Sequence, residues 1–544
     1  GRMLVGEFRL QADSAEPAIR SELKLAAQGR FTGEGLARAL GPAFAPYLEG
    51  EAEWRARLRL HDGIPDFQFE SDLQRFGMHL PAPLDKARAA PAKLTLKTVA
   101  ADPDHHVLDL HLDKRVAGKF AFRRGPRGWE FSKGRLGVGW ERVALPEEAG
   151  LQLDLRAPRL DGDQWLRLLR AAPGGGDSAW AQPLIRLSAE IGMLKLLDVS
   201  FGQFQLTLGR WPSGWRGQVR SEILGGDILI RPGAPHAVYL DLDHLSLPDT
   251  LWEGEATSIE IDPRALPELH VKSENLKVSG RSLGGFDLKL LPNAQGLRIE
   301  QLRLTRPETT LQAQGQWRVT EPGKASTQIE VNLSSSDLGM TLEALGFPDE
   351  LAGGRAELHS TWSWNGTPLE FNAARLDGSL TVALTNGRLL QIQQGAGRLF
   401  GIFNLRSLVR YLVLDFSTIF GKGFVFDSIR GGITVNKGSA YTGGLTIKGP
   451  SAAILIIGRV GLAARDFELE VSVLPRLKEL VVTGWLFSNP TVSGAVVALQ
   501  ELFKKPFTET IRVRYLVKGP WSDPQVTQPG RREGVETAPL ESPS

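Results

Sequence analysis

Apolar and polar residues alternate with a period of two in many short segments of this chain. A β-strand places successive side chains on opposite faces, so each segment predicts a strand with one apolar and one polar face. This pattern is typical of antiparallel sheets with one face removed from water. Glycine-rich stretches such as 436–438 and 442–444 separate the segments, as hairpins require. The apolar positions of these segments are Leu206, Leu208, Leu302, Leu304, Trp317, Val331, Leu333, Leu380, Val382, Leu384, Ile433, Val435, Leu445, Ile447, Leu455, Ile457, Leu469 and Val471.

Helical periodicity is confined to a few segments. The stretch 479–503 is interrupted by Asn489-Pro490 and contains Glu501. It therefore lacks the roughly 20 uninterrupted apolar residues of a transmembrane helix. The expected fold is mainly β, with a few short helices and an apolar C-terminal helix. The predicted helices are 36–47, 163–171 with Asp163 as N-cap, 337–346, 394–412 and 491–503.

Two stretches of the chain share one order of elements. Residues 36–68 and 338–371 each run from a short helix through glycine to a tryptophan-containing strand and a Gly-x-Pro turn. This similarity predicts either a modular, elongated array or a chance likeness of two segments. The expected organisation is a first β segment at 1–171, a linker or loop at 172–182, a second β segment at 183–386, a C-terminal region at 387–521 and a disordered tail at 522–544.

Composition narrows the classes of function. The net charge of the 544 residues is +2, which argues against a nucleic-acid-binding protein. The absence of cysteine excludes disulfides, thiolate zinc sites and cysteine nucleophiles. The chain begins Gly-Arg-Met without a signal sequence, and we expect residue 1 to lie within a longer protein.

Searches for catalytic motifs find two weak clusters and no phosphate-binding or nucleophile motif. A turn-and-strand segment holds Asp102, Asp104, His105, His106 and His111, and its spacing favours a polar hairpin over a metal site. A second group, with the residues Asp241, Asp243 and His244, invites a hydrolase hypothesis, but alternation along a solvated strand explains it. We therefore predict no metal, no cofactor and no enzymatic activity.

The C-terminal quarter resembles a known family. The matching elements are GRLFGIFN at 397–404, LDFS at 414–417, GFVFDSIRG at 423–431 and GPWSDP at 519–524, and the segments 80–86 and around Trp165 agree with the family's upstream region. On these residues the chain is similar to the YhdP branch of the AsmA-like envelope proteins of Gram-negative bacteria. The resemblance covers most of the chain.

That resemblance implies a long, twisted, curved antiparallel-rich sheet that forms a repeating β-groove, an open trough. It implies a periplasmic conduit that moves phospholipid between the inner and outer membranes, with its acyl chains on the apolar residues named above. The inner membrane would be reached through an N-terminal anchor missing here, and the outer membrane or a partner associated with it at the C-terminal end. Alternation itself does not distinguish such a groove from a closed sandwich.

Two further alternatives stay open. The protein is either this lipid conduit or an envelope scaffold that assists outer-membrane protein assembly or binds glycan. The apolar helix 491–503 and the aromatic residues before it are either a membrane contact or a plug at the end of the groove. The candidate membrane-contact residues are Trp485, Leu486, Phe487, Val496, Val497, Leu502 and Phe503.

Overall fold

The protein is represented by a computed structural model that confirms a mainly β fold. It divides into two compact units, Gly1–Ile259 and Glu260–Ser544, which we describe separately. The structure describes residues 8–14, 22–61, 64–126, 128–171, 183–196, 199–233, 235–247, 262–321, 324–368, 370–390, 423–475 and 513–528.

In the first unit, most strands are joined by short turns. The strands are β1 (Phe8–Ser14), β2 (Glu22–Thr32), β3 (Leu48–His61), β4 (Ile64–Ser71), β5 (Phe76–Met78), β6 (Leu94–Ala101), β7 (His105–Leu112), β8 (Val116–Gly125), β9 (Gly128–Val138), β10 (Gly150–Ala157), β11 (Leu160–Asp161), β12 (Leu184–Ile191), β13 (Leu194–Leu196), β14 (Val199–Ser200), β15 (Phe204–Trp211), β16 (Gly214–Arg220), β17 (Leu224–Arg231) and β18 (Ala237–Leu247).

The first unit's main sheet follows the order of the chain. The ladder runs β1-β2-β3-β4-β6-β7-β8-β9-β10-β12-β15-β16-β17-β18, and β10 alone pairs in parallel, with both of its neighbours. Since β10 pairs with β12, residues before and after 172–182 belong to the same sheet. The short strands β11, β13 and β14 form a separate small sheet.

The second unit contains the longer strands and is antiparallel throughout its described ladder. Each strand pairs with the next in the sequence. The strands are β19 (Glu268–Val278), β20 (Arg281–Asn293), β21 (Gly296–Thr305), β22 (Thr309–Glu321), β23 (Lys324–Ser335), β24 (Leu351–Asn365), β25 (Asp377–Leu389), β26 (Phe424–Asn436), β27 (Ser439–Lys448), β28 (Ala452–Gly461), β29 (Asp466–Pro475), β30 (Val513–Pro520) and β31 (Gln525–Thr527).

Among the described residues, three α-helices lie at strand ends, close to the predicted segments 36–47, 163–171 and 337–346. They are α1 (Gly33–Leu40), α2 (Gly162–Ala171) and α3 (Leu338–Ala344), and 3₁₀ turns cover Pro42–Tyr47, Pro263–Ala265 and Ala373–Arg375. Thr32 caps α1 and Asp337 caps α3, each accepting a hydrogen bond from a backbone amide of the first turn. The predicted cap of α2 was wrong: Asp163 lies in the first turn, and the carboxylate that accepts from Gln164 N, at 3.0 Å, belongs to Asp161.

The two similar stretches in the sequence have the same local architecture. In each, a short helix is inserted between two long antiparallel neighbours, α1 between β2 and β3 and α3 between β23 and β24. A glycine with positive φ is the third residue of the second strand in both cases, Gly50 in β3 and Gly353 in β24. The likeness predicted from the sequence is therefore a likeness of folded modules.

A buried lysine fixes the segment beside α1. Lys86 is 2% exposed, and its ammonium donates hydrogen bonds to the carbonyl oxygens of Phe76 (2.7 Å), Leu73 (2.9 Å) and Ala87 (3.3 Å). Burial, followed by the charge of Arg115, lowers the pKa of Lys86 from its ordinary value. The cation thus holds a loop in place by binding three carbonyl oxygens at once, and two of these, Leu73 O and Ala87 O, also accept from the backbone amides of Phe76 and Ala90.

Several predicted segments lie outside the described residues, namely 172–182, the helices 394–412 and 491–503, and the tail beyond 528. The beginning of the predicted disordered tail is ordered, because β31 pairs with β30 through Val526 and Val517. Within the described ranges, no helix is long and apolar enough to span a bilayer.

Candidate functional site

One face of the second unit's sheet is apolar across its strands. Residues directly opposite each other on paired strands project to the same side, so the register defines the face. A single row runs Leu288, Leu302, Ala313, Val331, Ser360, Leu380 and Ile433. The adjacent row runs Phe286, Leu304, Leu311, Leu333, Leu358 and Val382. We call this side the apolar face and the opposite side the polar face.

The apolar face continues toward the C-terminal end of the unit. Leu384 lies opposite Ile429, and Val435 opposite Ala440. A further row runs Ile429, Ile447, Ile454, Val473 and Val513, and its neighbour runs Leu445, Ile456, Val471 and Tyr515. Leu469, opposite Val517, and Trp317, opposite Leu297 and Thr327, lie on the same side.

Exposure along this face changes from one end to the other. Leu302, Leu304, Val331 and Leu333 are only half-buried, as are Leu380, Val382 and Ile433. Farther along, most side chains of this face on β26–β30 other than Ile433 and Val513 are almost completely buried, for example Ile447 at 2% and Val471 at 0% exposure. The part on β20–β25 therefore still presents apolar surface.

Two predicted lining residues belong to the other side. Leu455 lies opposite Ser472 and Ile457 opposite Glu470, so both are on the polar face. On β28 the apolar face instead carries Ile454 and Ile456. The sequence 454–457 is apolar at four consecutive positions and has no alternation of its own. The adjacent strand would have settled the register, because Leu469, Val471 and Val473 alternate clearly.

The first unit carries an apolar face that the sequence analysis found only at Leu206 and Leu208. Leu206 lies opposite Ala189 and Val219, and Leu208 opposite Leu187 and Gly217. The same alternation, visible in β3 and β7, marks the rest of the face. One uninterrupted row runs Ala27, Ala56, Phe69, Leu96, Leu110, Gly118, Leu136, Leu153, Leu187, Leu208, Gly217, Ile228 and Leu240.

The polar face of the second unit is a lattice of amides, hydroxyls and ion pairs. Neighbouring strands are linked by His359 Nδ1 with Asn332 Oδ1 at 2.6 Å, and by Ser334 Oγ donating to Glu357 at 2.7 Å. Gln312, Asn332, Ser334, Glu357, His359 and Thr381 also line a shallow surface depression. On β28, Arg459 donates to Asp466 at 2.7 Å and lowers the pKa of that carboxyl.

Four tryptophans of the apolar faces differ in how their indole N–H groups are satisfied. Trp364 Nε1 donates to Thr367 O at 2.9 Å, and Trp362 Nε1 to Ser360 Oγ at 3.0 Å. Trp54 Nε1 and Trp317 Nε1 are buried and have no hydrogen-bond acceptor among the described residues. Trp54 stacks on Phe69 with ring centroids 5.8 Å apart.

The two clusters singled out for chemistry are dispersed in the structure. Asp241 is exposed and lies opposite Asp227, whereas His244 lies beyond a register shift opposite Gly225, and no hydrogen bond between described residues links them with Asp243. His105 pairs with Asp102 and His111 with Asp109, each at 3.2 Å. No group of histidine and acidic side chains in the described ranges has the arrangement of a metal site.

His106 is buried on the apolar face of the first unit, with Nε2 2.7 Å from Thr98 Oγ1. Burial lowers its pKa, opposed in part by Asp66. As the pH falls below about 6.5, the ordinary histidine value, the unfolded chain binds a proton before the folded chain does. We therefore expect the free energy of unfolding to decrease as the pH is lowered through this range. The His106→Gln variant should show a weaker pH dependence when both proteins are unfolded in urea. The exposed variant His105→Gln should retain it, and an unchanged pH profile in His106→Gln would contradict the assignment.

The proposed membrane-contact residues, from Trp485 to Phe503, all lie outside the described residues. Their role stays a prediction.

Two comparisons with known proteins agree. The family model described as "YhdP protein" matches residues 1–526. The "Intermembrane phospholipid transporter YhdP" of Escherichia coli (strain K12) is 24% identical over 518 residues, covering 90% of this chain. The chain spans 40% of the length of that relative.

Proposed function

Because the chain belongs to the YhdP protein family, we propose that its apolar faces carry the acyl chains of phospholipids between the inner and outer membranes of the envelope. The E. coli relative is named an intermembrane phospholipid transporter, which supports this class of cargo. The observation that carries the proposal is the row from Leu302 to Ile433 on consecutive strands, which is apolar except at Ser360 and in which Leu302, Val331, Leu380 and Ile433 are half-buried.

The energetics of lipid transfer explain why such a surface is sufficient. Each CH₂ group of an acyl chain exposed to water costs about 0.8 kcal/mol. An apolar row that passes from strand to strand, spaced about 4.8 Å apart, removes this cost at each step of the path. The attraction is non-directional, so movement along it requires no specific pocket and no catalytic group. We therefore propose a conduit and not an enzyme.

An open face fits the exposures better than a closed sandwich. In a sandwich, the inner faces of two sheets pack together and bury their side chains. Leu302 and Leu304 on β21 and Val331 on β23 keep part of their surface exposed. We propose that this part of the second unit is an open groove, in which acyl chains supply the missing apolar layer.

The proposed function implies a location in the cell envelope. The full-length protein would lie in the periplasm, anchored to the inner membrane, and would reach the outer membrane or a protein associated with it at its C-terminal end. The partner on this path is the phospholipid itself, and no nucleic acid takes part.

Photo-crosslinking from adjacent residues tests the proposal. A photoreactive amino acid at Leu302 should capture phospholipid in cells, because Leu302 is on the apolar face. The same group at Arg303, the next residue and exposed on the polar face, should capture at least fivefold less, since alternate residues of a strand face opposite sides. Mass spectrometry of the adducts measures both. Equal capture at the two positions, or none at Leu302, would refute the conduit.

A second candidate is glycan binding, favoured by the shallow depression on the polar face. Its amide, carboxylate and hydroxyl groups offer hydrogen bonds of the kind that sugars accept and donate. This function predicts that a photoreactive group at Gln312 becomes attached to saccharide. Lipid adducts at Leu302 without sugar adducts at Gln312 would leave the conduit as the sole function.

A further inference from the structure

Two hairpins of the first unit share the sequence motif Arg-x-Pro-x-Gly-Trp. It occupies residues 124–129 between β8 and β9, and residues 210–215 between β15 and β16. The proline and a glycine with positive φ, Gly128 or Gly214, are residues that tight turns favour. The turn does not account for the arginine and the tryptophan, which lie directly opposite each other on the paired strands of each hairpin.

The arginine of each motif belongs to the apolar face of the sheet. Arg210 lies two residues beyond Leu208, so alternation along β15 places both on the same side. Arg124 likewise lies two residues beyond Phe122, which pairs with His106 of the apolar face. Both arginines therefore end a run of apolar side chains on their own strand.

The two motifs lie at one edge of the same sheet. The strands β8 and β15 run in the same direction, because β9, β10 and β12 between them are parallel to one another and antiparallel to both. Four strand spacings of about 4.8 Å place the two hairpins about 19 Å apart. Each arginine thus marks a separate position on the rim of the apolar face.

The side chains of both motifs are accessible. Trp129 is 39% exposed, Arg124 and Arg210 are exposed, and Trp215 is half-buried. The guanidinium of Arg210 lies over the Trp215 ring, 5.3 Å from its centroid. A guanidinium is planar and binds phosphate through two parallel hydrogen bonds, while its aliphatic stem covers apolar surface.

We propose that Arg124 and Arg210 bind the phosphate of phospholipids whose acyl chains lie on the apolar face of the first unit, an inference that rests on the proposed lipid conduit. A phospholipid carries its phosphate where the apolar chains end, and the rim is where the apolar face ends. Two residues of a strand span about 6.8 Å, so a phosphate at Arg210 directs the chains toward Leu208. The tryptophan beside each arginine lies at this boundary, as tryptophans do at membrane interfaces.

The consequence is a preference for lipids that contain phosphate. Diacylglycerol with the same acyl chains gains the same contacts with the apolar face but offers no anion to the guanidinium. An exposed ion pair of this kind changes the affinity by a factor of about two to five. The rim would thus distinguish phospholipids from neutral lipids without a closed pocket.

Photo-crosslinking beside one arginine tests this in the purified chain. A photoreactive amino acid at Ile230, which lies opposite Trp215, reports on lipid in the row that contains Arg210. The protein receives equal amounts of phosphatidylglycerol and diacylglycerol with matched chains, and mass spectrometry quantifies both adducts. Phosphatidylglycerol should be captured about two- to fivefold more often, and Arg210→Gln should remove this excess. Arg210→Lys, which keeps the charge, should retain part of it.

Arg216→Gln is the matched control. Arg216 is exposed on the polar face of the same hairpin, with its guanidinium 5.7 Å from the centroid of the Trp211 ring. Its replacement removes the same charge from the other side of the sheet, so the preference for phosphatidylglycerol should persist.

The hairpin of β8 and β9 permits the same comparison. With the photoreactive group at Phe131, Arg124→Gln should remove the excess of phosphatidylglycerol adducts. Arg123→Gln should not, because Arg123 projects to the polar face, where its guanidinium lies 3.9 Å from Glu130.

The possible results separate the rim assignment from the conduit. Equal capture of both lipids by the unsubstituted arginine protein, or an excess of phosphatidylglycerol that survives in Arg210→Gln, overturns the assignment. An equal loss in Arg216→Gln also overturns it, because overall charge would then explain the preference. Excess glycerophosphoglycerol, the head group without chains, should leave the adducts unchanged, and their loss would indicate a phosphate site independent of the apolar face.

The conduit itself has a separate test. Absence of both lipids at Ile230 overturns a lipid path over the first unit, and the rim assignment with it. Capture at Leu302 in the second unit reports on the conduit independently of either arginine.

Discussion

Replacing Val331 by aspartate is expected to reduce the phospholipid retained per chain by at least tenfold. Val331 is half-buried on the apolar face, between Ala313 and Ser360. Valine and aspartate are nearly isosteric, and the partly exposed carboxylate keeps its water while no lipid is bound. An acyl chain lying over it would remove that water, at a cost of several kcal/mol, and about 1.4 kcal/mol already corresponds to tenfold.

The neighbouring residue supplies the control. Asn332→Asp introduces the same charge on the same strand but on the polar face. There the side-chain oxygen of residue 332 lies within hydrogen-bond distance of His359 Nδ1. Mass spectrometry of extracted lipid should give wild-type retention for this variant, and circular dichroism should show both variants folded. A folded Val331→Asp protein with normal lipid content would exclude acyl chains from this row.

The second large effect concerns the buried cation of the first unit. Lys86→Met keeps an unbranched side chain of similar length but removes the ammonium, so that the carbonyl oxygens of Leu73 and Phe76 both lose a hydrogen bond from a charged donor, and Leu73 O keeps only the longer bond from Phe76 N at 3.3 Å. A hydrogen bond to a charged group contributes roughly 1.5–3 kcal/mol to stability. We expect a destabilisation of about 2–5 kcal/mol, seen as earlier urea unfolding and faster hydrogen exchange at Phe76 and Met78.

Lys97→Met is the corresponding surface variant, because Lys97 is exposed on β6. It should change the free energy of unfolding by less than about 0.5 kcal/mol. Equal free energies of unfolding for the two variants would show that the hydrogen bonds of Lys86 to the three carbonyl oxygens do not stabilise the loop.

The strands were predictable because their signal is local. A period of two within one strand suffices to assign its faces, as it does for Leu380, Val382 and Leu384. The signal fails where neighbouring residues are all apolar, so Leu455 and Ile457 were placed on the wrong side and only pairing with Ser472 and Glu470 corrects them. Pairing partners are tertiary information that one strand does not contain.

Other features depend on contacts between distant parts of the chain. Nothing around Lys86 in the sequence distinguishes it from a surface lysine, because its acceptors at Leu73 and Phe76 come from a separate turn. The half-exposure of Val331 likewise reflects what lies above the sheet, which alternation does not encode. The sequence analysis assigned the cap of α2 to Asp163 instead of Asp161, because the sequence does not distinguish between two aspartates near the start of a helix.

The sequential pairing of strands also bears on how this chain reaches its folded state. Where each strand pairs with the next, contacts are close in sequence, and closing each hairpin costs little chain entropy. A growing sheet can then be extended one strand at a time as the polypeptide emerges. The parallel strand β10 is the exception, because its pairing with β9 and β12 requires connections that traverse the length of a strand. We expect this crossing point to form last within the first unit, separating two stretches of sheet that assemble quickly.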